Sequence, residues 1–232
     1  MRLAIMQPYL FPYIGYFQLI HAVDQFVFLD NVNYIKKGWI NRNRILLSGN
    51  AHLFTLPIRQ VSQNRLINEI QIVEEPKVKV KILSLFRNAY SGSSQFQSVY
   101  PLIEEIILFP ESNLALFLEN SVKRIVEFMG LEKKFLASST YAIDPARKGK
   151  DRIVSLCRLL HADTYVNPSG GRALYDRDEF SASGINLEFL QPDGIRYAQT
   201  TEPFIPDLSI IDVLMFNSQQ RLRQLLDSFR LT

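Results

Sequence analysis

The residues best suited to chemistry lie in one loop near the start of the chain, which gathers cations, amides and an indole ring. Residues 31–49 contain four Lys and Arg side chains and no Asp or Glu. Arg and Lys bind phosphate oxygens, and Arg offers two parallel N–H donors to one anion. Amide side chains suit sugar hydroxyls, and an indole ring can pack on a sugar or a base. The loop therefore predicts a site for an anionic, ring-bearing small molecule. The predicted contacts are Lys37, Trp39, Arg42 and Asn43.

The alternative for this loop is a solvated approach to the next strand, with its cations facing water. Charge runs usually have that role. The one Trp of the chain, Trp39, lies among these polar residues. A Trp in such a setting is typical of binding surfaces, which favours the site.

An aromatic turn precedes the loop and offers a second group of ligand contacts. It follows an apolar segment at residues 3–6, which predicts a short buried strand. A short helix is predicted over residues 14–22, and the free N–H groups at a helix start bind phosphate. Tyr phenols can donate hydrogen bonds, and a glycine at this point lets a ligand approach the backbone. The predicted contacts are Gln7, Tyr9, Tyr13, Gly15 and Tyr16.

The same aromatic rings could instead fill the core below the helix. Phe11 and Phe17 are expected there, because Phe side chains are commonly buried. For Tyr13 and Tyr16, burial and ligand contact both stay open.

Two further strand ends carry polar residues. A predicted strand at residues 25–29 ends at Asp30, and one at residues 164–166 opens into Asn167-Pro168-Ser169-Gly170-Gly171. Ligands of open parallel sheets bind beyond the carboxyl ends of the strands, where the strand order reverses. If the strands are neighbours, these loops meet at one crevice. The contacts predicted from the later loop are Asn167, Gly170 and Gly171, although this sequence is also ordinary turn chemistry.

A second basic segment, Arg147-Lys148-Gly149-Lys150, precedes a predicted helix at residues 151–161. Its cations either close over a phosphate or form a solvated approach to the helix.

The sequence contains no pattern of a metal site or of an activated nucleophile. The three histidines, His21, His52 and His161, lack a metal-ligand spacing such as HxxxH. Cys157 lies on the apolar stripe of its predicted helix, so we expect it in the core. Neither a GxSxG motif nor a Walker loop occurs. No metal is expected, and no cofactor is assigned.

Composition excludes several classes of protein. The chain has 232 residues and 47% hydrophobic residues, which predicts one domain over residues 1–232. A net charge of +3 is too small for a nucleic-acid footprint over a whole face, so nucleic acid is not expected as the main partner. One cysteine excludes an internal disulfide framework and suits a reducing compartment.

The N-terminal segment at residues 3–23 carries no Asp, Glu, Lys or Arg. Pro8 and Pro12 interrupt it, and Gln and His side chains make it too polar for a membrane span. It also lacks the uninterrupted apolar region of a signal peptide. We expect no membrane insertion and a cytoplasmic protein.

Strand, turn, helix and strand follow one another within the first 30 residues, which predicts a parallel βαβ unit. Ser48-Gly49-Asn50 between apolar segments predicts a hairpin, and residues 76–90 carry helical periodicity. Residues 210–229 are expected to be mostly helix. The sequence thus predicts an α/β fold. Its features are a Rossmann-like, mostly parallel sheet with flanking helices, the strand at residues 3–6 inside that sheet, and a helical C-terminal part.

Several segments resemble the WbqC-like protein family. They are residues 6–9, 11–17 and 37–43, followed by residues 162–165, 170–171, 208–212 and Asn217. The resemblance covers nearly the whole chain. It implies a place in bacterial surface-polysaccharide biosynthesis, such as that of O-antigen. The family is linked to transfer of glycine or another acyl group to an amino sugar.

The helix start is also similar to that of Rossmann-like nucleotidylyltransferases. Tyr13-Ile14-Gly15-Tyr16 stands where those enzymes carry a His-x-Gly-His turn. This likeness implies a nucleotidylyltransferase-like start to the fold and a phosphate near the helix start. It argues against nucleotidyl transfer, because a neutral phenol cannot supply the charge of an imidazolium.

Together, the resemblance and the residues predict an enzyme that transfers an amino acid or acyl group to the amino group of a nucleotide-linked amino sugar. Such a transfer needs a base and donors to the developing oxyanion. Asp30 is expected either as the base or as a contact to the sugar hydroxyls, and Asn41 is expected, with backbone N–H groups, as a donor to the oxyanion. Two alternatives stay open: a nucleotidylyltransferase-like enzyme and a non-catalytic module that binds a sugar nucleotide. The sequence assigns neither the acyl donor nor an oligomeric state.

Overall fold

The first strand of the chain is paired on both sides, and the central sheet extends outward from it. The computed structural model describes residues 1–59, 62–144 and 146–232. Its strands are β1 (Arg2–Met6), β2 (Gln25–Phe28), β3 (Arg42–Leu47), β4 (Asn50–Thr55), β5 (Ile58–Arg59), β6 (Gln71–Ile72), β7 (Lys134–Ala137), β8 (Thr164–Pro168), β9 (Asn186–Pro192) and β10 (Phe229–Leu231). Its helices are α1 (Ile14–Ala22), α2 (Pro76–Tyr90), α3 (Phe96–Leu108), α4 (Leu114–Phe128), α5 (Gly149–Leu159), α6 (Arg177–Ser181), α7 (Ile210–Phe216) and α8 (Gln219–Asp227).

The central sheet has the strand order β10-β9-β8-β1-β2-β7. All its pairs are parallel except that of β10 with β9. The chain leaves β1 towards β2 and returns at β8 on the other side of β1, so the strand order reverses between β1 and β8. The position of β1 inside a mostly parallel α/β sheet confirms the prediction from the sequence.

Helices cover both faces of this sheet, which explains why its strands are apolar on both sides. Ala4 faces the large core that contains the buried side of α1. Leu3 and Ile5 face a second core, which contains Cys157 of α5. Cys157 is fully buried, as predicted, and burial raises the pKa of its thiol to about 12.

Helix α1 spans residues 14–22, as predicted, because Pro12 stands before it and an apolar run follows. Its N-terminal residue Tyr13 makes no side-chain capping hydrogen bond. The first N–H groups of α1 therefore lack an acceptor from that side chain. The middle of the helix is held by Gln18, whose buried amide donates to the carbonyls of Leu225 and Ser228 at 2.7 and 3.0 Å.

The hairpin of β3 and β4 carries the cationic loop against the aromatic turn. Its two-residue turn places Ser48 and Gly49 at φ 49° and 76°, the left-handed conformations that a tight hairpin needs. Three rings join hairpin, helix and turn: Phe54 lies 4.9 Å from Phe86 and 6.4 Å from Phe11, between ring centroids. The predicted hairpin is thus present, with its second strand starting at Asn50.

The C-terminal part differs from the single long helix predicted for residues 210–229. Asn217 has extended backbone angles, and its side chain donates to the Val213 carbonyl at 2.8 Å, which ends α7. Ser218 then caps α8. Phe229 begins β10, which adds the antiparallel edge strand. The sequence analysis also did not identify β7, whose four residues pair with β2 at the other edge.

No helix within the described ranges combines the length and the apolar character that crossing a membrane requires.

A buried carboxylate ties the segment before α7 to the core. Asp212 is fully buried and accepts hydrogen bonds from Tyr90 at 2.9 Å, Tyr197 at 2.6 Å and Gln199 at 2.9 Å. Burial raises the pKa of this carboxyl, although the three hydrogen bonds oppose the shift. The folded protein therefore holds the Asp212 proton at pH values where the unfolded chain has lost it.

We expect Asp212→Asn to change the pH dependence of stability. A raised pKa in the folded state makes the free energy of unfolding fall as pH rises above the ordinary carboxyl value of 3.8. The variant lacks this titration, so the wild-type free energy of unfolding minus that of the variant should fall as pH rises above 3.8. Urea titrations at several pH values measure this difference. A difference that stays constant or grows with pH contradicts the assignment.

Candidate functional site

Three separate segments meet at the carbonyl of Phe11. Phe11 has φ 44°, a left-handed conformation that a bulky residue adopts only when held. Its carbonyl oxygen accepts hydrogen bonds from Asn43 Nδ2 at 2.7 Å and Ser209 Oγ at 2.9 Å. Ile210 N donates to the next carbonyl, of Pro12, at 2.8 Å. The aromatic turn, the cationic loop and the segment before α7 therefore form one structure.

A first cavity, the tryptophan cavity, lies where these segments join and has a volume of about 400 Å³. It is lined by Tyr9, Pro12, Tyr13, Trp39, Asn43, Arg44 and Asp207. The predicted meeting of turn and loop residues is thus present for Tyr9, Tyr13, Trp39 and Asn43.

Arg44 places a guanidinium cation at the tryptophan cavity, next to the Trp39 ring. Its guanidinium lies over the Trp39 ring, 5.5 Å from the centroid, and one terminal N–H group donates to the Asp207 carbonyl at 3.4 Å. Its Nε is buried, and no described residue accepts its hydrogen. Trp39 itself keeps 47% of its surface exposed. The pair therefore presents a flat ring and a guanidinium cation to the cavity, which suits an anionic, ring-bearing ligand.

A second cavity, the strand-end cavity, lies beyond the carboxyl ends of β1, β8 and β9 and measures about 490 Å³. It shares Tyr13 and Asp207 with the tryptophan cavity. Its other lining residues come from the start of α1, the turn after β8, the end of β9 with the segment that follows it, the segment before α7 and α7 itself: Ile14, Gly15, Ser169, Gln191, Pro192, Asp193, Gly194, Ile195, Arg196, Tyr197, Phe204, Pro206, Leu208 and Val213. The expected convergence of strand ends on one crevice holds for β1 and β8.

Tyr13 divides the two cavities. Its side chain is 37% exposed, and a Cβ atom built on Gly15 would lie 2.4 Å from its ring, so the ring needs glycine at that position. Burial raises the pKa of the Tyr13 phenol, and the Asp207 carboxylate raises it further. The hydroxyl is therefore a neutral donor at the junction of the cavities.

Tyr16 is buried in the core, the alternative to ligand contact that the sequence left open. It is 2% exposed, and its hydroxyl donates to the Gln7 carbonyl at 2.9 Å inside the core. Tyr9 lies between these extremes, since it lines the tryptophan cavity while its hydroxyl donates to Gln7 Oε1 at 3.1 Å. Tyr13 and Tyr9 are thus placed for ligand contact, and Tyr16 is placed for packing.

Part of the cationic loop stabilises the loop itself. The Arg42 guanidinium donates to the carbonyl of Gly38 at 2.8 Å and to that of Lys37. Lys37 is exposed, and the lining residues of both cavities do not include it. Asn41 is buried, accepts from the Tyr34 hydroxyl at 2.7 Å and donates to the Leu56 carbonyl.

The structure places Asp30 away from both cavities. It is 3% exposed and accepts hydrogen bonds from Ser138 Oγ and Ser139 N, both at 2.9 Å, and from Asn68 at 3.3 Å. These contacts tie the ends of β2 and β7 together. The geometry supports a structural role for this carboxylate.

The turn after β8 contributes one lining residue, Ser169, to the strand-end cavity. Asn167 is buried, and its Oδ1 accepts from the Tyr165 hydroxyl at 3.0 Å. A Cβ on Gly171 would lie 2.0 Å from Asn167 Nδ2, so this glycine makes room for the amide, whereas Gly170 faces open space.

Asp207 is the main site residue that the sequence analysis did not identify. It is exposed, has φ 56° and supplies the carboxylate that the two cavities share. Arg196, on the other side of the strand-end cavity, was also missed. For Asp207, the sequence offered one signal: the residue directly precedes the segment 208–212, which carries part of the family resemblance.

Comparison with known proteins agrees with the resemblance. The model of the WbqC-like protein family matches residues 7–224. An uncharacterised protein of Mycobacterium tuberculosis, Rv1507c, is 30% identical over 219 residues, which cover 93% of each chain. No solved structure matches the chain.

We expect Asn43→Ala to lower the free energy of unfolding by about 1–3 kcal/mol, because the buried Phe11 carbonyl loses its shorter hydrogen bond. The tryptophan cavity should also lose affinity for its ligand, since Asn43 no longer holds the aromatic turn in place. Asn50→Ala, at an exposed hairpin position, is the control and should leave stability nearly unchanged. Chemical denaturation measures both. Equal stability of the two variants contradicts this role of Asn43.

Tyr13→Phe and Tyr16→Phe form a matched pair with opposite expected effects. Tyr16→Phe should lower the free energy of unfolding by about 0.5–1.5 kcal/mol, because its hydroxyl makes a buried hydrogen bond. Tyr13→Phe should leave stability nearly unchanged and weaken binding of the ligand. Thermal and urea unfolding, together with a binding titration, measure both effects. The reverse pattern would mean that Tyr13 is the packing residue.

Proposed function

Because the chain belongs to the WbqC-like protein family, we propose that it is an enzyme of bacterial surface-polysaccharide biosynthesis. In this proposal it transfers an acyl group, such as glycyl, to the amino group of a nucleotide-linked amino sugar. The observation that carries the proposal is the pair of cavities that share Tyr13 and Asp207. A nucleotide-linked sugar has two bulky ends joined by a diphosphate, which suits two adjoining cavities.

The sheet topology supports nucleotide binding in the strand-end cavity. Its strand order reverses between β1 and β8. Open parallel sheets bind ligands outside the carboxyl ends of the strands at such a reversal, which supports a Rossmann-like nucleotide site here. The uncapped start of α1 and Gly15 lie in this cavity. A diphosphate beside them gains backbone N–H donors and the positive end of the helix dipole.

The tryptophan cavity suits the sugar. Sugar rings pack their C–H faces on an indole, and Trp39 offers an exposed one. Asn43 and Tyr9 add polar groups to the lining. Arg44, whose side chain lines this cavity, can bind the diphosphate or the acyl oxygen.

In the proposed reaction, Asp207 replaces Asp30 as the base. Its carboxylate accepts a proton from the sugar amine as the nitrogen attacks the acyl carbonyl carbon. A C–N bond forms, and negative charge develops on the acyl oxygen beside Arg44. The bond to the leaving group then breaks, and the leaving group departs with its electron pair. The donor is an activated acyl ester, thioester or acyl adenylate.

The burial of Tyr16 argues against the nucleotidylyltransferase alternative. Nucleotidyl transfer on the His-x-Gly-His model requires both ring positions to reach the phosphates. Tyr16 is 2% exposed, and its hydroxyl already binds the Gln7 carbonyl. The non-catalytic alternative predicts the same binding without a product.

Mass spectrometry of the incubated nucleotide sugar separates the three functions. Purified protein is incubated with a UDP-linked amino sugar and, in parallel, with glycyl adenylate, a glycyl thioester or a nucleoside triphosphate. Acyl transfer adds the mass of the acyl group to the UDP-sugar in a donor-dependent manner. A nucleotidyl adduct would support the alternative enzyme, and bound but unchanged UDP-sugar would support the binding module.

Two variants should separate binding from chemistry. Arg44→Gln should weaken binding of the UDP-sugar by about 1.5–3 kcal/mol, the cost of losing a hydrogen bond to a charged group. Asp207→Asn should reduce the rate by about 100- to 10,000-fold, the usual contribution of a general base, with little effect on affinity. Asp227→Asn, on the surface of α8, is the control. An unchanged rate for Asp207→Asn contradicts its role as base.

A further inference from the structure

A third cavity, the basic cavity, opens at the same edge of the sheet but beside β2 and β7. It measures about 470 Å³ and is lined by Asn31, Val32, Asn33, Leu66, Ile143, Lys148, Gly149 and Arg152. Asn31 follows β2, and its Oδ1 lies 2.5 Å from the hydroxyl of Ser138, just beyond β7. Since β1 separates β2 from β8 in the sheet, this cavity and the strand-end cavity lie on opposite sides of the β1 end.

The charge of this cavity points to an anion. Its described lining residues include two cations and two amides, and no carboxylate. The Nε of Arg152 is buried, and no described residue accepts its hydrogen. This Nε is closed off from the cavity, but Arg152 and Lys148 form no ion pair with a described residue, so both cations are available to a ligand anion.

The neighbouring cations, Arg147 and Lys150, already bind partners within the described part of the protein, unlike Lys148 and Arg152. Lys150 forms an ion pair with Glu179 at 2.7 Å, and Arg147 donates to Ser155 Oγ at 2.9 Å. Of the four consecutive residues identified in the sequence as a basic segment, Lys148 and Gly149 are therefore the ones that face the cavity.

The rest of the lining indicates an organic ligand. Val32, Leu66 and Ile143 give the cavity an apolar part, and its volume lies in the range of small-molecule sites. Inorganic phosphate alone would leave this part unfilled. Gly149 has φ 50°, and a Cβ on it would meet no atom within 4 Å, so the mouth of the cavity is open beside the start of α5.

We propose that the basic cavity binds the phosphate-bearing end of the second substrate, the acyl donor. Arg152 and Lys148 bind the phosphate, the two Asn side chains bind polar groups next to it, and the apolar part holds the adjoining ring or chain. The acyl end of the donor then extends towards the acceptor amine, which the proposed function places beside Asp207. This assignment rests on the proposed function for the identity of the ligand, but not for the existence of the site.

Two probes distinguish the sources of such a phosphate. Coenzyme A represents a thioester donor, and ATP represents an acyl-adenylate donor, while UDP probes the strand-end cavity. We expect the wild type to bind UDP and one of the two donor probes at the same time in calorimetric titrations. Arg152→Gln and Lys148→Gln should each lower the affinity for the donor probe about tenfold or more, because each variant loses a charge-assisted hydrogen bond. The affinity for UDP should not change.

The control is Arg158→Gln, an exposed position in the last turn of the same helix, which should change neither affinity. Arg152→Lys, which keeps the charge and should retain part of the affinity, guards against a loss that comes from misfolding. Failure of coenzyme A and ATP to bind the wild type, or binding that Arg152→Gln and Lys148→Gln leave unchanged, overturns the inference. If UDP fails to bind but a donor probe depends on Arg152, the proposed acceptor is wrong and the basic cavity stands.

Discussion

The carbonyl oxygen of Phe11 is the point on which the candidate site depends. A Phe residue with a left-handed backbone is unfavourable by itself, and two hydrogen bonds, from Asn43 and Ser209, hold it there. These donors lie far from the turn and from each other in sequence, so the bonds form only when the whole chain has folded. Because one carbonyl joins three segments, the rings of the turn, the guanidinium of Arg44 and the carboxylate of Asp207 keep fixed relative positions.

The local part of this arrangement is predictable from the sequence. Helix α1 and helix α2 have the predicted limits, since a proline and an apolar stripe mark each of them. The βαβ start and the interior position of β1 follow from a short apolar run that is buried on both faces. Tyr9, Tyr13, Trp39 and Asn43 meet as expected, because turn and loop residues of a parallel sheet gather at its carboxyl edge.

The remaining features depend on contacts that no local pattern encodes. Asp207 stands in an irregular segment, and it reaches the site because Ser209 and Ile210 bond to the aromatic turn. Asp30 and Asn41 look like catalytic groups in a sequence, yet each has found hydrogen-bond partners that hold neighbouring segments in place. The edge strands β7 and β10 are too short to show a periodicity of their own.

The place of β1 in the sheet has a consequence for synthesis on the ribosome. Its neighbour on one side, β2, emerges almost at once, but its neighbour on the other side, β8, begins at Thr164. Contacts of such long sequence separation slow folding, because a long loop must close before they form. The nascent βαβ unit therefore exposes one unpaired flank of β1 during most of translation. A chaperone that covers an apolar strand edge would act on this protein early, well before any of the three cavities exists.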